Sequence, residues 1–147
     1  MSLAYIAAPY GAGTVAEIRR NALRAAALGR LASMYSGVSA VVVHAGIASV
    51  FGDDDDPEAR ENGLEANLEL VSVLAFSRAE LWVLLRDDGS VSDGVRQEVD
   101  AFHLAGGLLY HFGTWQSFTR TAARIGVELD ELFDQVERDH SKIWGKP

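Results

Sequence analysis

A chain of 147 residues, 48 % of them hydrophobic, is long enough for one domain with its own core and too apolar to be disordered. With 21 acidic and 13 basic residues the formal net charge is −8, which argues against general nucleic-acid binding, because that function needs a basic footprint. The lack of cysteine excludes disulfides, thiolate catalysis and cysteine-type zinc sites. No basic segment leads into an apolar one at the amino terminus, and no apolar run approaches the roughly 20 residues of a membrane span. A cytoplasmic protein without membrane attachment is expected.

Ser2-Leu3-Ala4-Tyr5-Ile6-Ala7-Ala8 is short and apolar and reads as a buried first strand. Pro9-Tyr10-Gly11-Ala12-Gly13 ends it, since Pro and Gly interrupt a ladder and turn the chain. Thr14-Val15-Ala16-Glu17 is a capping box, and a long helix is predicted from there to Ser36-Gly37, with Arg19, Arg20, Arg24 and Arg30 mostly on its polar side. Val38 to Ala45, rich in β-branched residues, is a second strand ending at His44-Ala45. Gly46 to Gly63 is irregular and holds four consecutive aspartates, Asp53 to Asp56, whose mutual repulsion suits a solvated loop better than a cation site. A second helix is predicted over 62–79, a third strand over 81–85, a turn over 86–90, and a helix from Ser92-Asp93 to Gly106-Gly107. Leu108 to Phe112 is a fourth strand, and from Trp115 to Ile143 the pattern is helical, broken at Ile125-Gly126-Val127.

Strands that alternate with helices over short connections imply a parallel sheet covered on both faces. The expected fold class is α/β: a small doubly wound sheet, Rossmann-like or flavodoxin-like, with a helical C-terminal extension over about 114–145. The whole of 1–147 reads as a single domain.

The stretch with most chemical content is Ser92-Asp93-Gly94-Val95-Arg96-Gln97-Glu98. It places a polar loop at the carboxyl end of a strand, beside the positive end of a helix, where open α/β sheets bind ligands and anions are favoured. Glu98 is either a solvated helix residue or the working carboxylate of that site. Gly11-Ala12-Gly13 and Ala16 fit a loose dinucleotide fingerprint, but His44-Ala45 stands where an acidic ribose-binding residue is expected, so a phosphate- or sugar-lining turn is the better reading. His44 is a polar residue at a strand end or a member of the functional edge. The histidines are too scattered for a metal pair, and no cofactor is expected. Residues 119–127 look like the first half of a helix-turn-helix, yet Glu128-Leu129-Asp130-Glu131 would be repelled by phosphates. A packing hairpin, or an oligomer contact through Trp115, Phe118, Leu132 and Phe133, fits better.

Tyr5-Ile6-Ala7-Ala8-Pro9-Tyr10 resembles the opening Y-I-A-G-P-Y segment of the nucleoside 2-deoxyribosyltransferase-like superfamily. Ser92-Asp93-Gly94, followed by Glu98 and Ala101, is similar to that family's later (D/S)-x-G-x-x-x-E segment. The likeness runs from the first strand to the fourth. It implies an N-glycosidase or deoxyribosyltransferase acting on a nucleoside or nucleoside 5′-monophosphate. Glu98 would be the nucleophile at the anomeric carbon, aimed by Tyr5. Ala8, Pro9, Tyr10, Gly11, Asn21, His44, Ser92, Asp93 and Gly94 would line the substrate pocket, and Ser92 in place of an aspartate suits a phosphorylated substrate. A homo-oligomer, dimer or tetramer, is also implied. Two departures stand out. Ala8 replaces a glycine, and Val71-Ser72-Val73 occupies the place of an aspartate that assists base departure, with Glu69 the nearest acid. Those departures keep open a non-catalytic nucleotide-binding or sensing domain of the same fold, and Gly11 and Gly13 a small dinucleotide-dependent oxidoreductase.

Overall fold

The structure, a computed structural model, describes residues 2–9, 11, 14–43 and 57–144. Tyr10, Gly13, His44 and the four-aspartate run lie outside the described residues.

The first apolar run forms β1 (Leu3–Ala7), and α1 (Val15–Ser36) follows it. The Thr14 hydroxyl caps α1 by accepting from the Glu17 N–H at 3.1 Å. Gly37 ends the helix in the left-handed region at φ 67°, where its N–H reaches the Ser33 carbonyl. Next come β2 (Ser39–Val41), α2 (Pro57–Phe76), β3 (Glu80–Leu84), α3 (Asp93–Leu104), β4 (Leu109–Gly113), α4 (Trp115–Arg124) and α5 (Leu129–Trp144). The second helix thus begins at Pro57, five residues earlier than expected, because proline suits a first helical position. It closes with Arg78 at φ 62°, a left-handed residue without the usual glycine.

The strands form one parallel sheet in the order β2-β1-β3-β4. Side chains alternate across it and split the core in two. Ala4, Ile6, Ala8, Trp82 and Leu84 face α1, α4 and α5. Tyr5, Ala7, Leu81 and Val83 face the other way, with Val71, Leu74 and Ala75 of α2 and Val95 and Phe102 of α3. The expected doubly wound α/β fold is therefore present, and no described helix is long and apolar enough to cross a membrane.

The helical tail packs inward. Trp115, Phe118, Leu129, Leu132 and Val136 are buried in the layer beneath α1, with Phe133 packed against them. Of the two readings of Trp115, Phe118, Leu132 and Phe133, a packing hairpin or an oligomer contact, the packing hairpin is the one seen: these side chains pack in the layer beneath α1.

Close approach fixes the α3–β4 connection. The Gly107 N–H donates to the Phe102 carbonyl at 2.8 Å, and a Cβ on Gly107 would lie 2.1 Å from the fully buried Phe102 ring. Gly107→Ala is therefore expected to destabilise the fold by about 1–3 kcal/mol, the usual cost of overpacking. Denaturant unfolding measures this, and an unchanged midpoint would contradict the packing described.

Candidate active site

The strand order reverses at β1. The chain leaves β1 for β2 on one side, and α2 carries it back across to β3 on the other. Connections from β1 and β3 diverge at their carboxyl ends, and such a crevice is where open α/β sheets take ligands.

Tyr5 lies within β1 and points into the α2–α3 layer with no exposed surface. α3 begins just past β3 and turns Val95, Glu98 and Phe102, spaced three and four apart, onto the sheet. Glu98 is 7 % exposed and is the one buried charged side chain among the described residues. The Tyr5 hydroxyl donates a hydrogen bond to Glu98 Oε2, joining residues 93 positions apart.

Burial among Val95, Phe102 and the strand side chains penalises the charged carboxylate and pushes the Glu98 pKa up to about 7. The Tyr5 hydrogen bond favours the charged form and acts the other way, but more weakly. The Tyr5 phenol is pushed far above its ordinary range, first by burial and then by the negative charge and hydrogen bond of Glu98. Tyr5 thus stays a donor, while Glu98 is poised to exist in both forms near neutrality.

Ser92 caps α3, its hydroxyl accepting from the Val95 N–H at 3.3 Å. Asp93 is exposed, and Gly94 is half-buried with open space where a Cβ would stand. These residues put free amides and a small hydroxyl at the helix end, one to two turns from Glu98, a setting that favours an anion or sugar hydroxyl.

The structure brings Tyr5 and Glu98 into contact and sets Ser92, Asp93 and Gly94 on the same helix. Ala8 does not join them through its side chain. It is buried at 4 % exposure in the α1 layer, because strand alternation turns it away from Tyr5. Half-buried Pro9 and exposed Gly11 follow β1 at the crevice. Asn21, half-buried, is on α1 in the opposite layer. Tyr10 and His44 are outside the described residues.

Two clusters escaped sequence reasoning. Arg24 of α1 pairs with Asp87 of the β3–α3 loop at 3.1 Å, and its guanidinium lies 4.9 Å from the Trp115 ring centre. The Trp115 indole donates to Asp130 at 3.0 Å, so this contact links α1, the site loop, α4 and α5. The second cluster sits on paired strands. His111 stacks on Trp82 at 4.3 Å, and both His111 Nε2 (3.0 Å) and Trp82 Nε1 (2.9 Å) meet Glu80 Oε1. Neither has a local sequence signature, since each depends on long-range placement.

Glu98 also predicts a pH dependence of stability. Its pKa is raised on folding from 4.5 to about 7. Folding therefore binds a proton, and the associated stability is fully present below about pH 4.5 and is lost as pH rises through about 7. The difference amounts to about 3 kcal/mol. Chemical denaturation across that window is expected to show the decline in the wild type and not in Glu98→Gln. Parallel curves would contradict a buried, titrating carboxyl.

No curated protein and no solved structure matches the chain. A family model described as a domain of unknown function, DUF7768, matches residues 2–108. The matched stretch contains Tyr5, Ser92, Gly94 and Glu98 and stops immediately before β4. The chain belongs to the DUF7768 family.

Proposed function

We propose that the protein breaks the N-glycosidic bond of a nucleoside or nucleoside 5′-monophosphate, with Glu98 as nucleophile. The observation that carries this reading is the buried Tyr5–Glu98 hydrogen bond at the strand-order reversal. The resemblance of the Tyr5–Tyr10 and Ser92–Glu98 segments to the nucleoside 2-deoxyribosyltransferase-like superfamily supports it.

In this mechanism an ionised Glu98 oxygen attacks the anomeric carbon. The new C–O bond forms as the C–N bond breaks, its electron pair leaves with the base, and the base takes a proton from solvent. Water or a second base then attacks the same carbon and releases the carboxylate. A carboxylate suits both halves, because it can form the covalent intermediate and then depart. Tyr5 holds one carboxylate oxygen and thereby orients the other. Ser92, Gly94 and the first amides of α3 receive the sugar hydroxyl or 5′-phosphate. The step needs no cofactor.

A second reading, a non-catalytic nucleotide-binding domain, is favoured by one observation. Val71, Ser72 and Val73 stand where the resemblance expects an aspartate, and the Ser72 hydroxyl is turned to its own helix, donating to the Leu68 carbonyl at 2.9 Å. Glu69 is exposed and is a poor substitute.

Chromatographic detection of free base, from a panel of nucleosides and nucleoside 5′-monophosphates, separates the two. Catalysis predicts base release, lowered at least about 1,000-fold in Glu98→Gln and about 100-fold in Tyr5→Phe. The nucleophile must be ionised, so kcat/KM should rise with pH around 7. In Tyr5→Phe that midpoint should move upward, because the lost hydrogen bond had favoured the anion. No release from any substrate, with nucleotide binding undiminished in Glu98→Gln, would contradict catalysis and favour the binding domain.

A further inference from the structure

We propose that the substrate is an N-glycoside whose base is positively charged, a pyridinium or an N7-alkylpurinium, and that the Glu98 carboxylate recognises that charge. The proposal rests on the glycosidic reading and narrows it to a substrate class. Its starting point is an unbalanced charge. Glu98 is 7 % exposed, and its hydrogen-bond donor, Tyr5, is neutral. Among the described residues no basic side chain acts on the carboxylate; burial and the Tyr5 bond set its charge state. Arg96, two residues earlier on α3, is exposed, and Arg24 is held by Asp87 over the Trp115 ring of the opposite layer. Buried carboxylates are ordinarily paired with a cation or protonated.

Attack on the anomeric carbon requires ionised Glu98, so the missing positive charge has to come with the substrate. A cation within about 4–6 Å favours the carboxylate over the acid. A neutral base does the opposite: it adds desolvation without charge and drives Glu98 further toward protonation.

The leaving group points the same way. A neutral base departs with the C–N electron pair and has to gain a proton. Glu98 is the one buried acid among the described residues, and as nucleophile it has no proton to give. The Tyr5 phenol is held far above its ordinary range and donates to Glu98, so it does not release its proton to a base. The α2 side chains in this layer, Val71, Leu74 and Ala75, are apolar, and Glu69 and Asp93 are exposed. A cationic base needs no acid. As the Glu98 oxygen bonds to the anomeric carbon, the C–N pair moves onto the ring and cancels its charge, and the base leaves neutral. Water then attacks the same carbon, loses a proton to solvent and returns the C–O pair to Glu98.

The layout of charge fits such a molecule. The amides at the start of α3 favour an anion, and Glu98 lies one to two turns further along the same helix. A nucleotide with a cationic base presents opposite charges in the matching order, phosphate toward Ser92 and Gly94 and base toward Glu98. The formal net charge of −8 also draws cations rather than anions from solution.

Base release from guanosine 5′-monophosphate, N7-methylguanosine 5′-monophosphate and nicotinamide mononucleotide tests this, each rate divided by the rate without enzyme. The enhancement should be at least about tenfold greater for the two cationic substrates. With these, the pH midpoint of kcat should fall at least about one unit below that of kcat/KM, because the bound cation favours the carboxylate. A second measurement needs no turnover. 1-Methylnicotinamide, a cation that cannot be cleaved, should bind at pH 8 at least about tenfold tighter than neutral nicotinamide, and Glu98→Gln should abolish the difference. An equal or greater enhancement for guanosine 5′-monophosphate, coincident pH midpoints, or a cation preference kept in Glu98→Gln would each overturn the proposal and leave the glycosidic reading standing. No release from any of the three substrates would overturn the glycosidic reading itself, and this proposal with it.

Discussion

The hydrogen bond from Tyr5 to Glu98 is the constraint around which the α2–α3 layer is arranged. A carboxyl group inside an apolar layer must find a donor or stay protonated, and its desolvation is costly either way. Tyr5 is the donor, and it is available because β1 is central and its alternation turns that side chain toward α3. Val95 and Phe102 carry the same helix face into the core and set the depth at which Glu98 lies. The desolvation that raises its pKa follows from that depth. The same burial weakens the fold as the group ionises, and only the Tyr5 hydrogen bond favours the charged form. Stability at this side chain therefore falls as pH rises through about 7.

Much of this was legible in the sequence. Apolar runs separated by helical periodicity are enough to identify the four parallel strands, and the two central ones, β1 and β3, are apolar because both their faces are buried. Ser92 and Thr14 signalled helix starts through their capping chemistry. Tyr5 and Glu98 were legible through the resemblance, and the helical spacing of Val95, Glu98 and Phe102 explains why Glu98 points inward. What failed depended on facing or on long-range placement. Ala8 was grouped with the site from its neighbours in sequence, although alternation separates it from Tyr5. Pro57 was a usable start signal, obscured by the acidic run before it. The tail aromatics announced an apolar face without announcing what covers it, and the cover is α1. Glu80, Trp82 and His111 meet only once strand order and register are known, and Arg24 meets Asp87 and Trp115 only once α1 is docked.

The architecture divides its work between two regions. The carboxyl ends of β1 and β3 carry the crevice, the α3 terminus and the buried carboxylate. Among the described residues, the outer edge of β4 carries apolar surface and pairs with no other strand. The family match covers the first region and stops before β4. The match to DUF7768 thus spans the elements that carry the candidate site, while the edge strand and the helical hairpin beyond it complete the fold around α1.

The most direct measurement of the central claim is mass spectrometry of protein quenched by acid during turnover of a nucleoside or nucleotide, followed by digestion. A glycosyl intermediate predicts one added sugar, or sugar phosphate, on the peptide containing Glu98, absent from Glu98→Gln. Base release without that adduct, and undiminished in Glu98→Gln, would contradict Glu98 as the nucleophile.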